Sequence, residues 1–157
     1  MLIRMAEEND YMQLAVMKWM HCQEDDEDYG EKNLEGVDKQ CFIDSFVDFL
    51  KTQKFYTIFV IEENETILSS MFVSIIPKVP KPNEKSQSIA YLTNVYTLKE
   101  YRNKRIGTKL LQYIKDYLKE CDCELAIVWP SHNSVEWYKR NGFCSENEIL
   151  ECLFTAG

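Results

Sequence analysis

The stretch SIAYLTNVYTLKEYRNKRIGT, residues 88–108, decides how the rest of the chain is read. It opens at 89–96 with an apolar run rich in β-branched and aromatic residues, the composition of a buried strand. It closes on Ile106-Gly107-Thr108, where apolar residues begin to recur at helical spacing. Between them lies Arg102-Asn103-Lys104-Arg105-Ile106-Gly107, a short basic turn that opens the helix. A helix start presents several backbone N–H groups with no partner inside the helix, together with the positive end of the macrodipole. It therefore holds anions well. Arg102, Lys104 and Arg105 add formal charge at the same place, so the turn predicts a bound phosphate or diphosphate.

Working outward, Ile106, Leu110, Leu111, Ile114 and Leu118 line one face of a helix of about four turns. ELAIVW, residues 124–129, is the next strand, parallel to the first because a helix connects them. A short helix at 134–141 stops at Gly142. From Phe143 a final hairpin follows, ending in a strand at 149–154. Upstream, a first strand spans 2–5, and Asp10 with Gln13 resembles the capping box of a helix. Met12, Ala15, Val16, Trp19 and Met20 are the expected buried face, and the acidic residues before Gly30 interrupt the pattern. A second helix at 38–51 presents Cys41, Phe42, Phe46, Phe49 and Leu50, an aromatic stripe read as core. Residues 55–62 are apolar on both faces, as in an interior strand, and 66–76 return as the hairpin partner after the turn at 63–65. Pro77, Pro80 and Pro82 mark a loop before the central strand. No repeat or low-complexity segment is present.

At 157 residues, 45% hydrophobic and 28% charged, the chain reads as one soluble domain, 1–157, able to bury a core without staples. The absence of a long apolar run and of a secretion-type start predicts a cytoplasmic protein that does not engage a membrane. The six cysteines are expected as free thiols in a reducing compartment. The net charge of −8 is concentrated: eight acids stand between His21 and Asp38 against Lys32 alone. That balance disfavours nucleic acid, whose phosphates would be repelled. It suits a cationic substrate, although a solvated, partly disordered loop is an equal reading of the acidic segment. His21 and His132 are the only histidines, with no metal-binding spacing, so no metal is expected.

Two segments resemble the GNAT superfamily of acyl-CoA-dependent N-acyltransferases. Arg102-x-x-Arg105-x-Gly107 is similar to its phosphate-binding pattern Q/R-x-x-G-x-G/A, with arginine in place of the middle glycine. That arginine is expected to take ordinary helical φ and to turn its guanidinium onto the phosphate. Asn133-Ser134-Val135-Glu136-Trp137-Tyr138-Lys139-Arg140-Asn141-Gly142-Phe143 is similar to N-x-x-A-x-x-(F/W)-Y-x-x-x-G-F, with Glu136 for the alanine. Together they cover most of 88–143, and the pair is far more specific than either alone.

The resemblance implies an α/β (α+β) fold: a central mixed, mostly antiparallel sheet of about seven strands, flanked by about four helices and splayed at the parallel fourth and fifth strands. It implies acetyl-CoA as cosubstrate and an N-acetyltransferase acting on a primary amine by direct attack in a ternary complex. Homodimers are common in such a family. By the same resemblance, main-chain groups of Val95, Tyr96 and Thr97 border the pantetheine arm, and an N–H near Val95 polarises the thioester carbonyl. The N–H groups of Asn103, Lys104, Arg105, Ile106, Gly107 and Thr108 hold the diphosphate, with Arg102 beside them. Asn133 contacts the pantetheine amides or caps a helix, and Tyr138 protonates the departing sulfur. Many members carry a basic glutamate where this chain has Tyr91, which leaves water or a carboxylate of the acidic segment to take the amine proton. The alternative from another class is a catalytically silent acyl-CoA sensor that docks a partner through its acidic face.

Overall fold

The computed structural model describes residues 1–85, 87–146 and 149–155. In chain order the elements are β1 (Leu2–Met5), α1 (Tyr11–Tyr29), α2 (Lys39–Thr52), β2 (Thr57–Glu63), β3 (Thr66–Pro77), β4 (Ser88–Thr97), α3 (Ile106–Glu120), β5 (Cys123–Ile127) and α4 (Val135–Arg140). The strands form one mixed sheet in the order β1-β2-β3-β4-β5, antiparallel as far as β4 and parallel between β4 and β5. Among the described residues five strands stand where about seven are expected. The missing two are those of the expected final hairpin: residues 143–146 and 149–155 belong to no strand, and residues 147 and 148 lie outside the described residues. Leu150, Leu153 and Phe154 remain exposed. The neighbouring template is poor, because β5 is only five residues long and ends before Trp129-Pro130, and an unsupported hairpin is marginal in water.

Both faces of the sheet are covered. β2 shows why: Phe59 and Ile61 pack towards α3, with Leu110, Leu111 and Ile114, while Ile58 and Val60 pack towards α1 and α2, with Leu14, Met17 and Leu50. Alternation with apolar residues on both sides is the mark of an interior strand.

β4 breaks its own alternation. Ala90 and Leu92 face the α3 side, yet Tyr96 and Leu98 face the α1 side. The cause is a bulge: the register against β3 shifts between Ser70 and Phe72, and Asn94 opposite takes a left-handed φ of 50°. One extra residue transfers every later side chain to the opposite face. Beyond Tyr91, β4 also loses its other neighbour, because β5 pairs with it only over Ser88, Ile89, Ala90 and Tyr91. From Leu92 to the end of β4 that edge of the strand is open, and a cleft runs along it.

Helix α1 differs from expectation in two ways. It continues through the acidic residues to Tyr29 and ends at Gly30, whose φ of 65° makes a left-handed C-cap. Its buried face is Leu14, Ala15 and Met17, with Met12 more than half exposed. Asp10 and Gln13 do not form the expected capping box. Asp10 accepts two bonds from Arg4 and one from the Glu7 N–H, and Gln13 bridges the Glu65 carbonyl and the Ile67 N–H of the β2–β3 hairpin. In α2 the buried residues are Ile43 and Leu50, while Cys41 and Phe49 are exposed; Phe42 and Phe46 stack in the seam with Trp19 of α1.

Candidate active site

The turn into α3 is a backbone cradle. The Arg102 N–H bonds the Lys99 carbonyl and the Lys109 N–H bonds that of Arg105, whereas the N–H groups of residues 103–108 have no backbone acceptor among the described residues. Asn103 and Arg105 both adopt φ of 62°, the alternating geometry in which successive N–H groups converge as an anion-binding concavity. Arg105 thus reproduces the left-handed conformation that a glycine adopts easily, which corrects the expectation of an ordinary helical φ. Gly107 is closely packed: a Cβ there would lie 3.2 Å from Thr97 Oγ1 and 3.4 Å from the Trp137 ring. Trp137 in turn donates to Thr108 Oγ1 at 3.3 Å, fastening α4 to the start of α3.

Two connected clefts lie along the open edge of β4. The larger, about 860 Å³, is bordered by Val95, Tyr96, Thr97, Arg102, Asn103, Arg105, Ile106, Gly107, Thr108 and Asn133. The smaller, about 490 Å³, lies between β4 and the segment after β5, with Tyr138, Trp129 and His132 in its wall and Asp25 and Glu31 at its rim. Of the residues singled out in the sequence, Lys104 stands apart, its ammonium over the Tyr101 ring at 5.3 Å. Asn133 caps no helix; its N–H donates to the Tyr29 hydroxyl at 3.2 Å. Tyr91 borders neither cleft and packs edge-on against Trp129.

Arg102 is engaged with the protein as well as the cleft. Its Nε–H donates to the Thr97 carbonyl at 2.9 Å, its Nη2 donates to Glu24 at 2.8 Å, and the guanidinium lies over the Tyr96 ring. The Tyr96 hydroxyl donates to the other Glu24 oxygen at 2.6 Å. Burial, reinforced by the Glu24 carboxylate, pushes the Tyr96 phenol pKa up. This contact exists because the bulge turned Tyr96 towards α1. Burial alone pushes the Tyr138 phenol up, and its hydroxyl has no hydrogen-bond partner among the described residues.

Helix α1 supplies Lys18 and His21, which the sequence does not mark as site residues, and singles out Asp25 from the acidic segment. Lys18 donates to the side-chain oxygen of Asn94 at 2.8 Å, holding the bulge. His21 stacks on Tyr96 with ring centres 5.0 Å apart, and its Nδ1 is buried with no partner among the described residues. Burial, with Lys18 nearby, pushes its pKa down to about 4, so the imidazole is neutral at pH 7. Asp25 lies with Oδ2 3.7 Å from His21 Nε2, and burial followed by Glu31 pushes its carboxyl above the usual range. The available signal was spacing: His21, Asp25 and Asp28 fall at i, i+4 and i+7, one face of a continuous helix.

The residues fit acetyl-CoA: unpaired N–H groups suit a diphosphate, an open strand edge suits the amides of a pantetheine arm, and Gly107 keeps the passage clear. Among the described residues no helix is long and apolar enough to cross a membrane, and no group of three His, Cys, Asp or Glu side chains is placed to hold a metal.

Solved structures share this architecture. A predicted acetyltransferase from Clostridium acetobutylicum, solved with acetyl-CoA, is 22% identical, with 97% of this chain and 95% of that chain covered and a TM-score of 0.72. A GCN5-related N-acetyltransferase from Ralstonia eutropha is 19% identical over 97% of each chain, with a TM-score of 0.69. Glucosamine-6-phosphate N-acetyltransferase from Arabidopsis thaliana is 18% identical over 98% of each, with a TM-score of 0.65. At these identities the likeness speaks for the fold. No curated protein matches the chain in sequence. The acetyltransferase (GNAT) family profile, however, matches residues 14–143, which include the anion cradle, the splay and Tyr138. The silent-sensor alternative finds no support in these comparisons. With most of its length matched, the chain belongs to the GNAT family and is an acyltransferase that uses acetyl-CoA.

Proposed function

We propose that the chain, acting as one domain over residues 1–157, acetylates a cationic primary amine by direct attack in a ternary complex. The observation that carries this reading is the meeting of the two clefts beside Val95, the larger running to the anion cradle and the smaller bordered by the carboxylates of Asp25 and Glu31.

In this reading the N–H groups of residues 103–108 hold the diphosphate, and Arg102 and Arg105 add charge around it. Main-chain groups of Val95, Tyr96 and Thr97 pair with the pantetheine arm along the open edge, and Asn133 reaches it from the other wall. The Val95 N–H stabilises the oxyanion charge that develops on the thioester carbonyl, the largest kind of contribution available to acyl transfer. Tyr138, kept protonated by burial, donates to the departing sulfur. The amine enters through the smaller cleft, where Asp25 and Glu31 attract a cation and the Trp129 and Tyr29 rings offer it aromatic faces.

The test is free-thiol release from acetyl-CoA with four amine pools: polyamines, aminoglycosides, amino acids and lysine peptides. Release above the amine-free background with one pool supports the proposal and gives the class of acceptor. Tight acetyl-CoA binding with no release from any pool would count against it.

A further inference from the structure

We infer that Asp25 is the base that takes the proton from the incoming amine, an inference that rests on the function proposed above. The starting point is the junction of the two clefts. If the Val95 N–H is aimed at the thioester, the attacking nitrogen must arrive there, and among the described residues Asp25 is the one carboxylate that borders both clefts.

Asp28 borders the larger cleft only, and the two residues flanking Asp25 are already committed. Glu24 accepts from Tyr96 and Arg102. Asp26 accepts from the Asn33 and Leu34 N–H groups at 2.8 and 3.0 Å, fixing the chain after α1. Asp25 accepts no hydrogen bond from the described residues; the neutral His21 imidazole lies with Nε2 3.7 Å away. A carboxylate without structural duties, facing a cleft, is placed to act on a ligand. Asn94, the polar residue of β4 at this level, is occupied by Lys18 and carries no basic group.

The surroundings also tune it. Lys18, His21, Cys22, Glu24 and Asp26 face it from α1, Glu31 from the following loop, and Tyr29 and His132 from the shared cleft wall. Burial and Glu31 raise its proton affinity against the opposing effect of Lys18. A base closer in pKa to neutrality accepts a proton more effectively than an ordinary carboxylate. In the reaction, Asp25 takes one proton from the ammonium and releases it to solvent. The neutral nitrogen forms the C–N bond as the C–S bond breaks, and the second proton lost from nitrogen balances the one gained by sulfur. The sum is an amide, a thiol and one proton in solution.

The test compares wild type with Asp25→Asn and Asp25→Glu, reading kcat across pH for the amine pool that turns over and acetyl-CoA affinity without amine. Asp25→Asn should lower kcat by about 10²- to 10⁴-fold and abolish the acid limb of the pH profile. Asp25→Glu should restore part of the rate, and acetyl-CoA affinity should stay within about twofold in both, as expected when the diphosphate cradle is untouched. Wild-type turnover with Asp25→Asn keeping the wild-type rate and acid limb would overturn this assignment alone. Absence of wild-type turnover on every pool would overturn the function it rests on, and this assignment with it.

Discussion

The two walls of the cleft are built on different principles. The wall formed by β4, the start of α3 and α4 works through backbone groups, fixed by close packing of Gly107, Thr97 and Trp137. The opposite wall, the end of α1, works through side chains: Lys18 on Asn94, His21 on Tyr96 and Glu24 on Arg102. The first wall presents a fixed array to one ligand, and few residue types satisfy it. The second presents charged and polar side chains, several of them held by partners on β4 and at the start of α3. A shared cosubstrate and a particular amine need these two kinds of surface, respectively.

This contrast can be broken first at Gly107. Its φ is not left-handed, so the constraint there is space and charge. Gly107→Glu should weaken acetyl-CoA binding by about 3 kcal/mol or more, the scale of an unpaired charge forced against a desolvated site. Calorimetric titration checks this, and retained affinity would refute the placement of the diphosphate.

His21 sharpens the contrast on the other wall. Its folded pKa lies below the ordinary 6.5, at about 4. The stability it contributes is therefore complete above 6.5 and is lost as pH falls through about 4. With allowance for partial exposure, the loss should be about 2–3 kcal/mol. His21→Gln should remove most of that dependence in urea melts between pH 6.5 and 4. An unchanged slope would mean that the ring is not buried against Tyr96.

The smallest effect is expected at Glu24, which ties the walls together. Its partner Arg102 is partly exposed, so Glu24→Gln should cost only about 1 kcal/mol of stability. It should also let Tyr96 ionise at lower pH than in wild type, because the carboxylate is one cause of its raised pKa. Ultraviolet titration of the tyrosines would detect that shift.

The same division explains what could be read from sequence. Residues 88–108 declared the strand, the cradle and the helix because these depend on local backbone requirements: an apolar run, unpaired N–H groups and a small residue at 107. The W-Y-x-x-x-G-F segment did the same for α4. The end of α1 was obscure because five consecutive acidic and amide-poor residues, Glu24 to Asp28, look like solvated loop, although glutamate supports helix well and Gly30 was the true stop signal. Glu24 with Tyr96 was invisible for another reason. It depends on a bulge at Asn94 that turns Tyr96 over, and nothing in the local pattern announces that bulge. The final hairpin is expected from its apolar residues and from the family resemblance, but the five-residue β5 offers it little edge to join.

The measurement that tests the central claim most directly is Tyr138→Phe, with kcat and acetyl-CoA affinity determined in parallel. If the acetyl group is transferred at the junction beside Val95, kcat should fall by about a hundredfold or more while affinity stays near wild type. An unchanged kcat, or an equal loss of both, would contradict the account.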